Sequence, residues 1–471
     1  MTTRSSSSSS RKLQYPIDDH DSISKLPDEL LQKIVSELST EEAVRTSLLS
    51  SRWVDVWKGM SHLVLDMRKV LGKTPIKYLH NVSLWLARSM TKAIENHRGH
   101  LESCIIHYDV FQCKDAALRR WIHTVTRLKH TKSLTVINYV PGYRRGYNYK
   151  ADSYLHLVPV TFSHHSLTSL SLCGFYLINP DAFSNCKNLK TLKLLNMTML
   201  EASVLSEVLA ACTSLEVIVL QVDFITQYVA LKIENNNLKF LQVTFPYEID
   251  RIEVYATCLD VLDIRVIKGK REDFILAAPN IQVNKNAWVS DHGIHKPHLF
   301  YNVSPYLAQE EKDIWHELLV SDFHDMSRDG SLSVSVDITD PKEVEILKEV
   351  LLMWATNKMI ELEIFFKNKK APRDEGECST NNRAHKNLLE DAKPFPDAAF
   401  RVYNVRLYNF DGSNEEEFAF ASRLVTQETV VRKMMIETSS FPPAKKLKVE
   451  AAVDKLMELP KGYERLRIEC F

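Results

Sequence analysis

Seventeen histidines and eight cysteines are the residues with which this 471-residue chain could build a metal or acid–base site. Their spacing does not build one. His164-His165 and the pair His292 and His295 have no acidic or cysteine neighbour at ligand spacing, so they read as surface or capping histidines. The cysteines, Cys104, Cys113, Cys173, Cys186, Cys212, Cys258, Cys378 and Cys470, are scattered with no C-x-x-C pair, as expected of reduced packing residues. With only 12 glycines, the chain holds no phosphate-cradling G-x-x-x-x-G-K-[ST] or G-x-G-x-x-G loop, no G-x-S-x-G elbow and no H-E-x-x-H helix. No cofactor is implied and an enzyme is not expected. The chemistry left to the side chains is recognition by apolar faces and by tyrosine–arginine clusters.

Three short helix patterns supply such a face between residues 22 and 58. Leu30, Ile34 and Leu38 recur every four residues behind Pro27, a residue suited to the first helical position because its missing N–H costs nothing there. Ser39 stands three residues before Glu42, the spacing of a capping box, and opens a second helix with Val44 and Leu48 on one side. Trp53 and Trp57 form a third stripe one turn apart. A unit of about 40 residues buries too small a fraction of its surface to be stable alone, so these faces need another chain or the rest of this one.

In order and type these residues resemble an F-box: Ile23, the Leu26-Pro27-Asp28-Glu29-Leu30 entry, Ile34, Leu38, Ala43-Val44-Arg45-Thr46-Ser47, and Arg52-Trp53 followed by Trp57. Ser51 departs mildly, where relatives often carry Lys or Cys. The resemblance implies that Leu26, Pro27, Leu30, Ile34, Leu38, Val44, Leu48, Trp53 and Trp57 grip the Skp-type adaptor of cullin-RING ubiquitin ligases. Taken singly, Val35 and Leu48 read as ordinary core, and Trp57 has the alternative of packing the module near Leu63 and Leu65.

Further along, L-x-x-L-x-L-like phrases recur at Leu167-Leu170-Leu172, Leu189-Leu192-Leu194, Leu215-Ile218-Leu220, Leu238-Leu241-Val243 and Leu259-Leu262-Ile264, starting 22, 26, 23 and 21 residues apart. That period is the signature of leucine-rich repeats, in which each unit lays a strand beside the last. Weaker copies at Leu101-Cys104-Ile106 and Leu134-Ile137-Tyr139 precede them, and 200–212 reads as a helical return on the convex side. Because alternate strand residues face opposite sides, residues interleaved with the leucines are expected on an open concave face. Lys193, Val219, Phe240, Gln242 and Arg265 are the candidate target contacts there, joined by the loop of Tyr143, Arg144 and Arg145.

Beyond a polar stretch at 367–397 the pattern becomes strand, helix, strand, helix, strand: Val402–Phe410, Ser413–Val425, Val430–Ile436, Lys445–Glu458 and a final alternation through Leu466, Ile468 and Cys470. This implies parallel right-handed crossovers that continue the solenoid. VRLYNFDGSNEEEFAFASRLV, Lys445-Lys446-Leu447-Lys448-Val449 and Leu459-Pro460-Lys461-Gly462 resemble the FBD domain of plant F-box proteins.

The expected fold is therefore α/β: a Ser-rich tail at 1–20, a three-helix F-box at 21–65, an irregular leucine-rich-repeat solenoid of parallel strands and convex helices at 66–390, and an FBD cap at 391–471. The resemblance implies the substrate-recognition subunit of an SCF-type ligase, reached by cullin and RING subunits through the adaptor and by an unnamed target through the repeats. A non-degradative adaptor-bound scaffold and a small-ligand-dependent receptor are alternatives of the same architecture. Sixty basic and sixty acidic residues leave no net charge for a nucleic-acid partner. The absence of a signal-like or 20-residue apolar run makes the expectation cytoplasmic or nuclear, with no membrane.

Overall fold

A computed structural model of the chain describes residues 23–108, 117–138, 162–226, 228–244, 249–265, 271–283, 298–303, 330–354, 359–367 and 400–471. It divides into two compact units, Met1–Arg145 and Gly146–Phe471.

The first unit opens with the α-helix Asp28–Ser36, preceded by Pro27, whose carbonyl accepts from the Leu30 and Leu31 amides at 3.1 Å. The second helix, Thr40–Arg45, has the expected capping box: Ser39 Oγ accepts from the Glu42 amide at 3.3 Å and Glu42 Oε2 accepts from the Ser39 amide at 3.2 Å. Removing that cap with Ser39→Ala should cost about 1 kcal/mol, read as faster amide hydrogen exchange across Thr40–Arg45 with the neighbouring helix unchanged. In place of the expected third helix stand two 3-10 turns, Ser51–Val54 and Val56–Gly59, joined at Asp55. Short i→i+3 turns are all that so few residues sustain here, yet both bring their tryptophan inward.

Strands His62–Leu65, Ser103–Tyr108 and Ser133–Asn138 follow in parallel, with Leu63, Cys104 and Leu134 in register, then Leu65, Ile106 and Val136. The expected phrase Leu134-Ile137-Tyr139 is thus out of register. Thr131, Leu134 and Val136 take the places of Leu101, Cys104 and Ile106, while Ile137 faces the other side and Tyr139 lies outside the described residues. A threonine fills a leucine position because its hydroxyl donates to the Val125 carbonyl at 2.6 Å and leaves no buried polar group unpaired. The helices Leu79–Asn96 and Ala117–His123 lie between successive strands and account for the length of these early repeats.

In the second unit the five leucine phrases fall on strands Ser169–Cys173, Thr191–Met199, Val217–Phe224, Phe240–Thr244 and Val261–Arg265, all parallel. Leu170, Leu192, Ile218, Leu241 and Leu262 form one row and Leu172, Leu194, Leu220, Val243 and Ile264 the next, every one fully buried. The return after Thr191–Met199 is the helix Ala202–Ala211, as the sequence suggests. In the next three returns the described residues include strands instead. Ala230–Glu234, Arg251–Tyr255 and Phe274–Ala277 are strands forming a second parallel sheet. Their strict alternation, with Leu231, Ile233, Ile252 and Val254 inward, is a strand period that could have been recognised.

One joint breaks the parallel order. Strand His298–Asn302 runs antiparallel to Val261–Arg265, and Gly330–Val336, Met359–Phe366, Val402–Tyr408, Val430–Ile436 and Arg467–Cys470 then follow it in parallel. Right-handed crossovers pass on a face set by strand direction. Reversing the strands while the sheet grows onward therefore moves the crossovers to the opposite face. The packing agrees: Leu332, Val334, Ile364, Leu407, Met434 and Ile468 form one core with helices Pro341–Trp354, Glu415–Thr426 and Pro443–Glu458, and Val217, Val219, Phe240 and Val261 belong to that same core. These four lie on the face opposite the repeat leucines.

The strand-to-helix turns of this part repeat. Asp337 Oδ1 accepts from the Thr339 amide and Glu343 Oε2 from the Asp337 amide; Asp411 Oδ1 accepts from the Ser413 amide and Glu417 Oε2 from the Asp411 amide. Asn414 caps Glu415–Thr426, accepting from the Glu416 and Glu417 amides, so the helix starts two residues after the expected Ser413. Burial pushes Glu417 up to about 7. A carboxyl raised above its unfolded value favours the folded state while protonated, so this contribution fades as pH rises from about 4.5 to 7. Glu417→Gln keeps the acceptor and removes the titration. The difference in melting temperature between pH 5 and pH 8 should shrink in the variant, and an unchanged difference would refute the assignment.

Candidate partner-binding surfaces

Within residues 23–60 the apolar side chains separate into two sets. Leu31, Val35, Ala43, Trp53, Val56, Trp57 and Met60 make a closed core, with Leu26 half-buried against it. Ile23, Leu30, Ile34, Leu38, Val44, Leu48 and Leu49 stay in solvent, Leu48 at 87 % exposure. The division follows helical geometry. Leu31 and Val35 point inward four residues apart, so Leu30 and Ile34, one position earlier, lie about 100° round the helix. Solvent-exposed apolar residues in such number on so small a module mark an interaction face.

The backbone beneath this face is well tied. Arg52 donates to the Leu26 carbonyl and to Asp28 Oδ1, joining the chain entry to the first 3-10 turn. Thr40 Oγ1 accepts from the Val64 amide at 2.7 Å, and buried His97 bonds the Met60 carbonyl at 2.7 Å through Nε2. Burial lowers the His97 pKa, which keeps the ring neutral in that contact.

Two expected adaptor contacts are corrected by this geometry. Trp53 and Trp57 are buried within the module's own core and offer no surface to a partner, and Trp57 packs among Leu31, Val35 and Met60. Val35 is core as it reads singly, whereas Leu48 is not. Leu26, Pro27, Leu30, Ile34, Leu38, Val44 and Leu48 retain accessible surface.

The expected target face is corrected more strongly. Val219 is 4 % exposed, Phe240 0 % and Gln242 1 %. They lie opposite the leucines, as strand alternation requires, but the crossover switch places this side in the core. Gln242 Nε2 donates to Asp263 Oδ2 at 3.0 Å, a buried pair rather than an open contact. Lys193 is half-buried on the same row as Val219. Arg265 ends its strand. Tyr143, Arg144 and Arg145 lie outside the described residues.

Sequence reasoning missed a polar ladder on the reversed strands, on the sheet face that carries the repeat leucines of the earlier strands. His298 Nε2 lies 2.8 Å from Ser333 Oγ, Ser333 Oγ donates to Glu363 Oε2 at 2.6 Å, and the Tyr408 hydroxyl donates to Glu363 Oε1 at 3.0 Å. The alternating Ser331-Leu332-Ser333-Val334-Ser335-Val336 run was its available signal. Serine sits between histidine and carboxylate, so its proton goes to Glu363, and burial drives His298 down to about 3. In a Ser-His-Asp triad the serine hydroxyl instead gives its proton to the histidine. The ladder satisfies buried polar groups.

Comparison with known proteins places two segments of the chain in described families. Residues 23–64 match the F-box domain model, and 118–289 match the model of the leucine-rich repeats of FBD-associated F-box protein At5g56370. F-box protein At3g60790 of Arabidopsis thaliana is 52 % identical over 471 residues, covering 100 % of this chain and 93 % of that protein. F-box protein At1g80960 of the same plant is 44 % identical over 96 % of this chain and 90 % of its own length. The F-box/FBD/LRR-repeat protein At1g78750, also from Arabidopsis thaliana, is 29 % identical over 42 % of this chain and 41 % of its own. The chain belongs to the plant F-box/leucine-rich-repeat family, whose architecture is that of an adaptor protein. Among the described residues no helix is long and apolar enough to cross a membrane.

Proposed function

We propose that this protein is the target-recognition subunit of an SCF-type ubiquitin ligase. Residues 21–65 grip a Skp-type adaptor, through which cullin and RING subunits are reached, 66–390 form the repeat solenoid, and 391–471 are an FBD cap. The observation that carries the reading is the exposed row of Leu30, Ile34, Leu38, Val44 and Leu48 on a module whose own core is already closed. The parallel strand–helix units from Val402 to Cys470 and the FBD-associated repeat match support the cap. Catalysis then rests on effective concentration: the chain holds a target beside a ubiquitin-loaded enzyme supplied by other subunits.

Affinity purification under proteasome inhibition, comparing the full chain with one lacking residues 1–65, tests this. Adaptor and cullin should be recovered only with the full chain, and a target should accumulate when the gene is deleted. Adaptor recovery without any accumulating protein would favour a scaffold instead.

A further inference from the structure

Among the described residues no helix covers one sheet face of the last three strands, and that face is strongly cationic. Arg406, Lys433 and Arg467 point away from the helix-covered core, and with Arg432 and Arg465 they line a concavity of about 560 Å³ in which Glu469 is the one acidic lining residue among those described. Lys433 stands directly opposite Arg467, a like-charge cross-strand pair that costs stability in the free protein. The pairing of Val402–Tyr408 with Val430–Ile436 slips by one residue beside Arg432, and such a bulge re-aims side chains. Lys433 is compensated by Glu469 at 2.8 Å and Arg406 by Glu361 at 2.6 Å, whereas Arg432, Arg465 and Arg467 form no ion pair among the described residues. In a chain of zero net charge this is a local concentration, not a general background.

An adjoining concavity of about 680 Å³ shares Arg406 and is lined mainly by polar groups, Asn409, Glu437, Ser439 and Ser440 among them, with Phe471 exposed beside the largely buried Phe365 and Tyr408. Phe365 and Tyr408 stack at 4.3 Å, and Phe471 meets Tyr408 edge-on at 5.7 Å.

We propose that this face binds an extended acidic segment of a partner protein, its anionic groups meeting Arg432, Arg465 and Arg467. Nucleic acid fits less well. The positive charge is confined to one concavity interrupted by Glu469 and Glu361, and Phe365 and Tyr408 are too buried to stack successive bases. That the segment belongs to a ligase target rests on the proposed function, but the binding itself is measured without the adaptor.

The test uses the purified full chain and fluorescence anisotropy with a short labelled Glu-rich peptide, its phosphoserine version, its Gln-for-Glu version and a single-stranded RNA. The acidic peptides should bind in a manner weakened by salt, and the Gln version should not. Arg465→Glu with Arg467→Glu should weaken acidic-peptide binding at least about tenfold, with unchanged circular dichroism and unchanged adaptor recovery. Arg465→Gln with Arg467→Gln provides the milder variant should charge reversal disturb the sheet. Tighter binding of the phosphoserine version supports the proposal with phosphate as the anion; equal binding supports it with carboxylate. Equal affinity for the Gln version, undiminished binding by both double variants, or tighter binding of RNA than of either acidic peptide overturns it. Loss of adaptor binding by the parent chain would count against the ligase role alone.

Discussion

Leu30→Asp combined with Ile34→Asp is expected to abolish recovery of a Skp-type adaptor while leaving the fold intact. Both side chains already lie close to half in solvent, at 45 % and 46 % exposure, so charge there meets water in the free protein and costs little stability. In the proposed complex the same positions face the adaptor. An anchor in a desolvated interface is worth about 2 kcal/mol or more, and a buried unpaired carboxylate adds to the loss. Two such changes lower affinity by about a thousandfold or more, beyond the reach of co-purification. Circular dichroism and the thermal transition should match the parent. Undiminished adaptor recovery from a folded double variant would move the interface off the first helix, and Leu48→Asp would then ask whether the second half of the module carries it.

The division between what this sequence reveals and what it conceals follows from the range of the forces involved. Capping at Ser39 and Glu42 is a matter of three residues, and it is visible in the chain and present in the structure. Repeat leucines are equally legible, because each strand must bury the same two rows against its neighbour, and Leu170 through Leu262 do so in unbroken register. Thr131 is harder to see, since a threonine can replace leucine only if a carbonyl such as that of Val125 is within reach. Harder still is the fate of the interleaved residues. Alternation correctly places Val219 and Phe240 opposite the leucines, but whether that side is open depends on strand direction, and the reversal at His298–Asn302 is set by long-range pairing. The same reversal opens the other face near Arg406 and Arg467, which no local pattern assigns. In the F-box the apolar residue types are clear, yet one helical step separates Leu31 in the core from Leu30 in solvent. Tryptophan size decides the remaining ambiguity: Trp53 and Trp57 are the largest side chains available to close so small a core.

That last assignment predicts opposite outcomes for two residues placed together by sequence. Trp53→Ala removes most of a large buried side chain from a core of seven buried residues. Aromatic-to-alanine changes in cores cost about 3–5 kcal/mol, and a module of this size has little margin from which to absorb the loss. The segment 23–60 should lose protection from hydrogen exchange, and adaptor binding should fall with it. Leu48→Ala, by contrast, deletes a side chain that is almost wholly in solvent, so exchange and melting should stay as in the parent while adaptor affinity alone declines. Trp53→Phe, which refills much of the space, should restore most of the protection and the binding. Were Trp53→Ala to retain parental exchange protection yet lose the adaptor, the tryptophan would be an interface anchor and not a core residue. Local unfolding is expected to stop near the first strand, because Thr40 and Ser36 fasten the helices to Val64 and Ser61 through single hydrogen bonds, whereas His62–Leu65 is held by a full ladder to Ser103–Tyr108. Exchange measured residue by residue across 60–66 should show that boundary.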